Sequence, residues 1–404
     1  MSHLKLEWAL FLEFYDFSIF GFYALYFAPK IFPYVNISAY VDIFSIFALG
    51  YCMKPFGILI FQKLSLRLPL RRILNISIVI MAISFLSIAT VPIYDSIGIW
   101  SGVIILCARL LQGIASGIEM QCIIKYLSST LTMSKRNMAT SAILLAISLG
   151  IFLGVMLNRG LIQYFNDFQL EDWGWRIPFY LGAILSLLSC IIRISSKKSE
   201  ITPKYLQHKV NIFTIFIKYK KRILLIAGMV GINATLLMSG IIFMPIYLHS
   251  TLNLNYFTIS NILFKATILS VIASLITHYL SKIINPTFLI KLTYLGIIIT
   301  IIYCYHCFAT GKNMSMAVYQ IAILYSTVSR LTPLAIPKDI FPSYLRLTCV
   351  STATHIGFML FGVTYPLSLA LILSLSHSVF IAPCIYIIMV TCISITCIFI
   401  LPKS

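Results

Sequence analysis

Apolar runs about 20 residues long recur along the whole chain, separated by short polar stretches. A helix of that length crosses the hydrocarbon core of a bilayer. Twelve spans are predicted, at 8–28, 39–61, 73–93, 98–125, 138–158, 175–194, 223–248, 257–280, 287–309, 314–336, 347–373 and 379–401. Residues 195–222 form the longest and most basic polar stretch and divide the spans into two sets of six. The predicted fold class is an all-α integral membrane protein with two six-helix pseudo-repeats. An N-terminal bundle covers 1–194, a basic linker 195–222 and a C-terminal bundle 223–404. Six-span halves joined in this way suit a carrier built from repeats around a midplane site.

Composition agrees with this pattern. The chain is 60% hydrophobic and 10% charged, whereas a soluble domain carries about 25% charged residues. The net charge of +19 does not mark a nucleic-acid binder, because the basic residues lie between apolar spans rather than in one basic domain. They act as topology signals. With the N-terminus cytoplasmic, the inside segments hold Lys5; Lys63, Arg67, Arg71 and Arg72; Lys135 and Arg136; eight Lys and Arg of 195–222; Lys282; Lys338 and Arg346; and Lys403. The outside segments hold Lys30, Arg159 and Lys312, with Arg176 at a helix start, and the acids Asp95, Asp167, Glu171 and Asp172. Both termini and the linker are therefore expected on the cytoplasmic side. Glu7, Glu13 and Asp16 interrupt any cleavable signal. The ten cysteines have no disulfide-framework spacing, and the lone pair Cys304 and Cys307 falls short of a metal site.

Chemistry concentrates where polar groups interrupt the spans. Ile105 to Ser129 is apolar enough to cross the bilayer, yet holds Arg109, Gln112, Glu119 and Lys125. Each charge at that depth costs at least ~2.5–3.5 kcal/mol, so it requires a partner, water or a function. Gly113 and Gly117 form a small-xxx-small pair that admits a second helix closely. In the first span Glu13 and Asp16 are three residues apart and share a helix face. Two carboxylates in a low-dielectric site disfavour each other's charge, which is the physics a proton-coupled carrier needs. The structural alternative is neutralisation by Lys54 of the second span, and the two readings are compatible. Arg109 presents a planar fork near the midplane that suits either a substrate carboxylate or an internal acid. In the C-terminal half Lys265 lies well inside its span, Arg330 sits near a helix end within snorkelling range, and His355 is a buried candidate that is more often a packing residue.

Five stretches resemble the metabolite–proton symporters of the major facilitator superfamily, the group of proline/betaine, α-ketoglutarate, citrate and shikimate carriers. Glu13-Phe-Tyr15-Asp16-Phe17 is similar to the E-W-Y-D-F of helix 1, with Phe32-Pro33 following. Arg109-Leu-Leu-Gln112-Gly113 through Gly117-Ile-Glu119 resembles the R-L-L-Q-G…G-G-E of helix 4. Trp173-Gly-Trp-Arg176-Ile-Pro178-Phe179 matches the W-G-W-R-I-P-F before helix 6. Lys338-Asp339-Ile-Phe-Pro342 with Arg346, and Gly362 with Pro366, resemble the motifs around helix 11. The loop between helices 2 and 3 departs from the G-x-x-x-D-R-x-G-R-R pattern: Arg67, Arg71 and Arg72 remain, but Leu66 stands at the acidic position and Gln62 and Pro69 at the glycines.

The resemblance implies a proton-coupled secondary transporter of the bacterial cytoplasmic (inner) membrane, working by alternating access on a small zwitterionic or anionic metabolite. A proline/betaine-like osmolyte is favoured, and an organic acid such as α-ketoglutarate comes next. Expected proton-coupling residues are Glu119, Asp16 and Glu13. Expected substrate contacts are Arg109, Gln112, Tyr15, Lys265 and His355. Lys54, Arg67, Arg71, Arg72, Arg176, Asp339 and Arg346 are expected to brace or gate. The expected partners are the metabolite, a proton and the lipid bilayer, with no nucleic acid and no cofactor, and the chain is expected to act as a monomer. A second reading, a non-transporting sensor or decayed carrier, draws on the altered loop. An enzyme is not expected, since no HExxH, GxSxG or phosphate-binding loop is present.

Overall fold

A computed structural model describes residues 4–32, 38–130, 133–194, 212–250, 252–342, 345–365, 368 and 381–401. Pro33, residues 195–211 of the linker, Pro366, the end of the eleventh span beyond 368 and Lys403 lie outside the described residues. The described chain is helical throughout and contains no strand. It divides into two compact units, Met1–Ile215 and Phe216–Ser404.

The first unit contains α1 (Leu4–Ile31), α2 (Ser38–Cys52), α3 (Lys54–Leu64), α4 (Leu70–Thr90), the short α5 (Tyr94–Ile97), α6 (Trp100–Thr130), α7 (Met133–Tyr164), the short α8 (Asp167–Asp172) and α9 (Ile177–Ile194). α1 packs mainly on α7 and α9, while α6 packs on α2, α3 and α4. The second span, expected as one helix over 39–61, breaks at Met53. Pro55 sits in the first turn of α3, where its missing N–H is least costly. The break starts a new helix at Lys54, which is buried.

The second unit contains α10 (Ile212–Met238), α11 (Met244–Ser250), α12 (Tyr256–Ile283), α13 (Pro286–Thr310), α14 (Met314–Ala335), α15 (Arg346–Gly357) and α16 (Ile381–Ile400). Residues 212–222, expected as linker, are helical and run into the seventh span through a kink at Tyr219. A π-helical turn, Ser239–Phe243, joins α10 to α11, and a second, Phe358–Val363, extends α15. The wider turn leaves carbonyls for side chains: Phe361 O accepts from Thr235 Oγ1 at 3.2 Å and from Tyr386 OH at 3.0 Å. Among the described residues ten helices are long and apolar enough to cross a membrane. A shorter apolar helix, Thr348–Val363, and the 22-residue α14 lie where the eleventh and tenth spans are expected.

α6 is seated against α2 and α3 through glycines on both sides. A Cβ on Gly113 would lie 1.8 Å from Gly50 O, one on Gly117 2.2 Å from Lys54 O, and one on Gly57 2.2 Å from Ile114 O. Backbone meets backbone here, so no side chain can yield. Gly113→Ala should therefore push α2 and α6 apart and lower the thermal-unfolding midpoint of the purified protein by several degrees, at a cost of about 1–3 kcal/mol or more. Gly160→Ala, where an added Cβ meets nothing within 4 Å, should leave the midpoint in place.

Candidate functional site

The close seating of α6 brings four charged side chains together around a cavity of about 450 Å³, its mouth included. The cavity is lined by Glu13, Asp16, Lys54, Arg109, Gln112 and Ser116 with Phe14, Phe17, Phe47 and Tyr51. Arg109 Nη1 donates to Asp16 Oδ2 at 2.6 Å, and Gln112 Nε2 donates to Asp16 Oδ1 at 3.2 Å. The Arg109 guanidinium lies over the Phe20 ring, 3.6 Å from its centroid. One turn earlier on α1, Glu13 Oε1 accepts from Lys54 Nζ at 2.5 Å, and the same ammonium lies 3.5 Å from the centroid of Tyr51. Arg109 and Lys54 are 3% and 4% exposed, so each cation depends on its acid to offset the loss of water.

Pairing leaves both donors and an acceptor over. Arg109 Nε and Nη2, Gln112 Oε1 and Ser116 Oγ are buried and have no hydrogen-bond partner among the described residues. Ser116 was not anticipated from sequence. Its signal was helical spacing, since Arg109, Gln112 and Ser116 fall three and four residues apart on one face.

The other expected residues lie elsewhere. Glu119 is buried two turns from Gln112 and accepts from Ser77 Oγ of α4 at 3.1 Å. Tyr15 points away from the cavity: it is fully buried and its hydroxyl donates to Pro178 O of α9 at 2.8 Å. In the second unit Lys265 is exposed on α12. His355 is buried, with Nδ1 2.7 Å from Ser351 O. Arg330 of α14 reaches His278 Nδ1 of α12, a histidine that sequence reasoning passed over.

The bracing candidates divide by position. Arg176 Nη1 donates to Ala89 O at 2.8 Å and Val91 O at 2.6 Å, closing the C-terminal end of α4. Arg346 donates to Ile336 O just past α14, at 3.3 Å. Arg222 donates to Ile340 O in the same connection, where Asp339 is exposed. Arg67 is exposed in the turn between α3 and α4, and in the first turn of α4 Arg72 is exposed and Arg71 partly buried.

Membrane-length helices in two units, with paired charges around a cavity in the first, describe a polytopic membrane protein. The profile of the Major Facilitator Superfamily matches residues 8–378, and the chain belongs to that family. It is thus a transporter-family protein and not an enzyme. A citrate–proton symporter of Salmonella typhi is 30% identical over 61% of this chain and 57% of its own length. A Staphylococcus haemolyticus protein named as a proline/betaine transporter is 26% identical over 88% of this chain and 78% of its own. The α-ketoglutarate permease of Escherichia coli is 31% identical over 45% of this chain and 42% of its own. Among solved structures, a D-xylose–proton symporter superimposes with a TM-score of 0.77 over 99% of this chain and 96% of that one, at 16% identity. That last likeness is one of fold.

Breaking a buried pair from one side strands a charge, whereas removing both sides does not. Glu13→Gln alone should cost about 3–5 kcal/mol of stability. The double change Glu13→Gln with Lys54→Met should recover most of that loss. Unfolding of the two variants in the same detergent measures the difference. Equal losses would mean that the pair is not the stabilising unit.

Proposed function

We propose that the chain is a proton-coupled secondary transporter of a small zwitterionic or anionic metabolite in the bacterial cytoplasmic membrane, acting as a monomer with both termini inside. A proline/betaine-like osmolyte is the favoured substrate, and an organic acid such as α-ketoglutarate is next. The observation that carries this reading is the contact of Asp16 with Arg109 inside the cavity. A carboxylate held by a buried guanidinium is a two-position device. Ionised, it neutralises the cation; protonated, it releases the cation to a substrate anion. Proton and substrate carboxylate then exchange on one arginine, which couples their movements. Asp16 is the preferred coupling residue because it touches Arg109 directly. Glu119, on the same helix as Arg109, and Glu13, already engaged by Lys54, are the other candidates.

Two acids and two bases face the cavity, so its side chains sum to no net charge. Protonation of Asp16 leaves one uncompensated positive charge, which a single carboxylate offsets, and this supports the one-carboxylate osmolyte over a di- or tricarboxylic acid. The named relative aligned over more of this chain, from Staphylococcus haemolyticus, leans the same way. The basic loops support the cytoplasmic placement of both termini.

Asp16→Asn should abolish gradient-driven accumulation in proteoliposomes while retaining counterflow, because a neutral side chain at this position still lets the carrier reorient. If Asp16→Asn accumulates substrate as the parent does, the coupling role belongs to Glu119 or Glu13. If the parent chain moves no amino acid, betaine or organic acid under a proton gradient, the non-transporting alternative is the better account.

A further inference from the structure

The hydrogen-bonding capacity left open on the residues that line the cavity has a specific chemistry. Arg109 gives Nη1 to Asp16 and keeps Nε and Nη2 open. These two donors form the edge that grips both oxygens of one carboxylate. Gln112 gives its amide nitrogen to Asp16. An ionised carboxylate only accepts, so the amide nitrogen faces Asp16 and the oxygen is the atom left over; a protonated Asp16 keeps a carbonyl oxygen that can hold the same amide N–H. That oxygen has no partner, and neither has Ser116 Oγ, a hydroxyl that in a helix commonly bonds the carbonyl one turn back. All three side chains line the cavity and are at least 95% buried. Along one face of α6 the open groups therefore run from two donors, through an acceptor, to a hydroxyl.

The complement of that row is a molecule with a carboxylate beside an N–H donor. An α-amino or imino acid zwitterion carries both on one carbon. α-Ketoglutarate brings no donor for Gln112, and citrate, which does bring a hydroxyl, shares with it more negative charge than the cavity offsets. A fully methylated betaine offers the carboxylate but no N–H, so it would leave the Gln112 oxygen buried and unpaired, which is the costly case.

We propose that the first-unit cavity recognises zwitterions through a carboxylate on Arg109 and a single ammonium N–H on Gln112 Oε1. It thereby selects N–H-bearing amino or imino acids over quaternary betaines and polycarboxylates. This inference rests on reading the cavity as the substrate site, and it narrows the substrate within that reading.

The test uses two methylation series on the purified full-length protein: glycine to sarcosine, N,N-dimethylglycine and glycine betaine, and proline to N-methylproline and N,N-dimethylproline. Binding is followed by thermal shift and calorimetry. In the series that binds, affinity should hold within a few-fold until the last N–H is removed, and then fall by about tenfold or more, the effect of one buried acceptor left unpaired. Gln112→Leu should flatten that final step, because the acceptor is gone. A quaternary member that binds as tightly as its N–H-bearing precursor overturns the proposal. So does a step that survives Gln112→Leu. Failure of the underlying reading has its own signatures. Prolinamide or glycinamide binding as well as its parent acid would remove the carboxylate from Arg109. Binding of citrate or α-ketoglutarate with no response to either zwitterion series would overturn the zwitterion assignment. No response to any of these compounds would remove the cavity as the substrate site.

Discussion

Much in the first unit depends on how four charged side chains, three buried and one half-buried, are kept tolerable. Glu13 and Asp16 come from α1, Lys54 from the first turn of α3 and Arg109 from the middle of α6. None of them is tolerable alone in hydrocarbon; Glu13 and Lys54 pair between α1 and α3, and Arg109 reaches Asp16 from a helix in backbone contact with α2 and α3. The glycine seam and the ion pairs are thus one arrangement. Remove the seam and the cations move away from their acids; remove an acid and a stranded cation drives water or disorder into the bundle.

The periodicity of apolar runs was enough to locate most spans, because the bilayer imposes a length that few other constraints disturb. α4, α12, α13 and α16 lie close to their expected limits. Two features escaped that reading. The division at Met53 leaves hydrophobicity untouched, since Pro55 ends one helix and begins the next within an apolar stretch. The helical start of α10 was hidden by its lysines, which a helix at the membrane surface carries without penalty.

The site was legible as a set of residue types and less so as a set of contacts. Buried polar side chains at helical spacing pointed to Arg109, Gln112, Glu13, Asp16 and Lys54, and those five do line one cavity. Sequence could not say which acid serves which base, because that depends on helix rotation and rotamer. Tyr15 sits between Glu13 and Asp16 in the chain, yet successive helical residues point about 100° apart, and its hydroxyl turns to α9. His278 drew no notice because nothing local distinguishes it. Its meaning comes from Arg330, which is 52 residues away in the chain.

The two π-helical turns of the second unit have a consequence for how this chain varies. A π turn holds one residue more than the α-helical turn it replaces, so it stores an insertion without a loop. Every side chain beyond it is rotated by about 100° relative to a straight helix. Tyr365 lies two residues past Phe358–Val363 and Ser239 opens the other π turn, and they meet in a hydrogen bond of 3.1 Å. A one-residue deletion in either segment would keep the helix continuous and the membrane length intact, yet present a different stripe of the helix to its neighbours. In this half of the chain, a single-codon change in length is thus a route to a new interior surface that leaves the hydropathy profile almost unaltered.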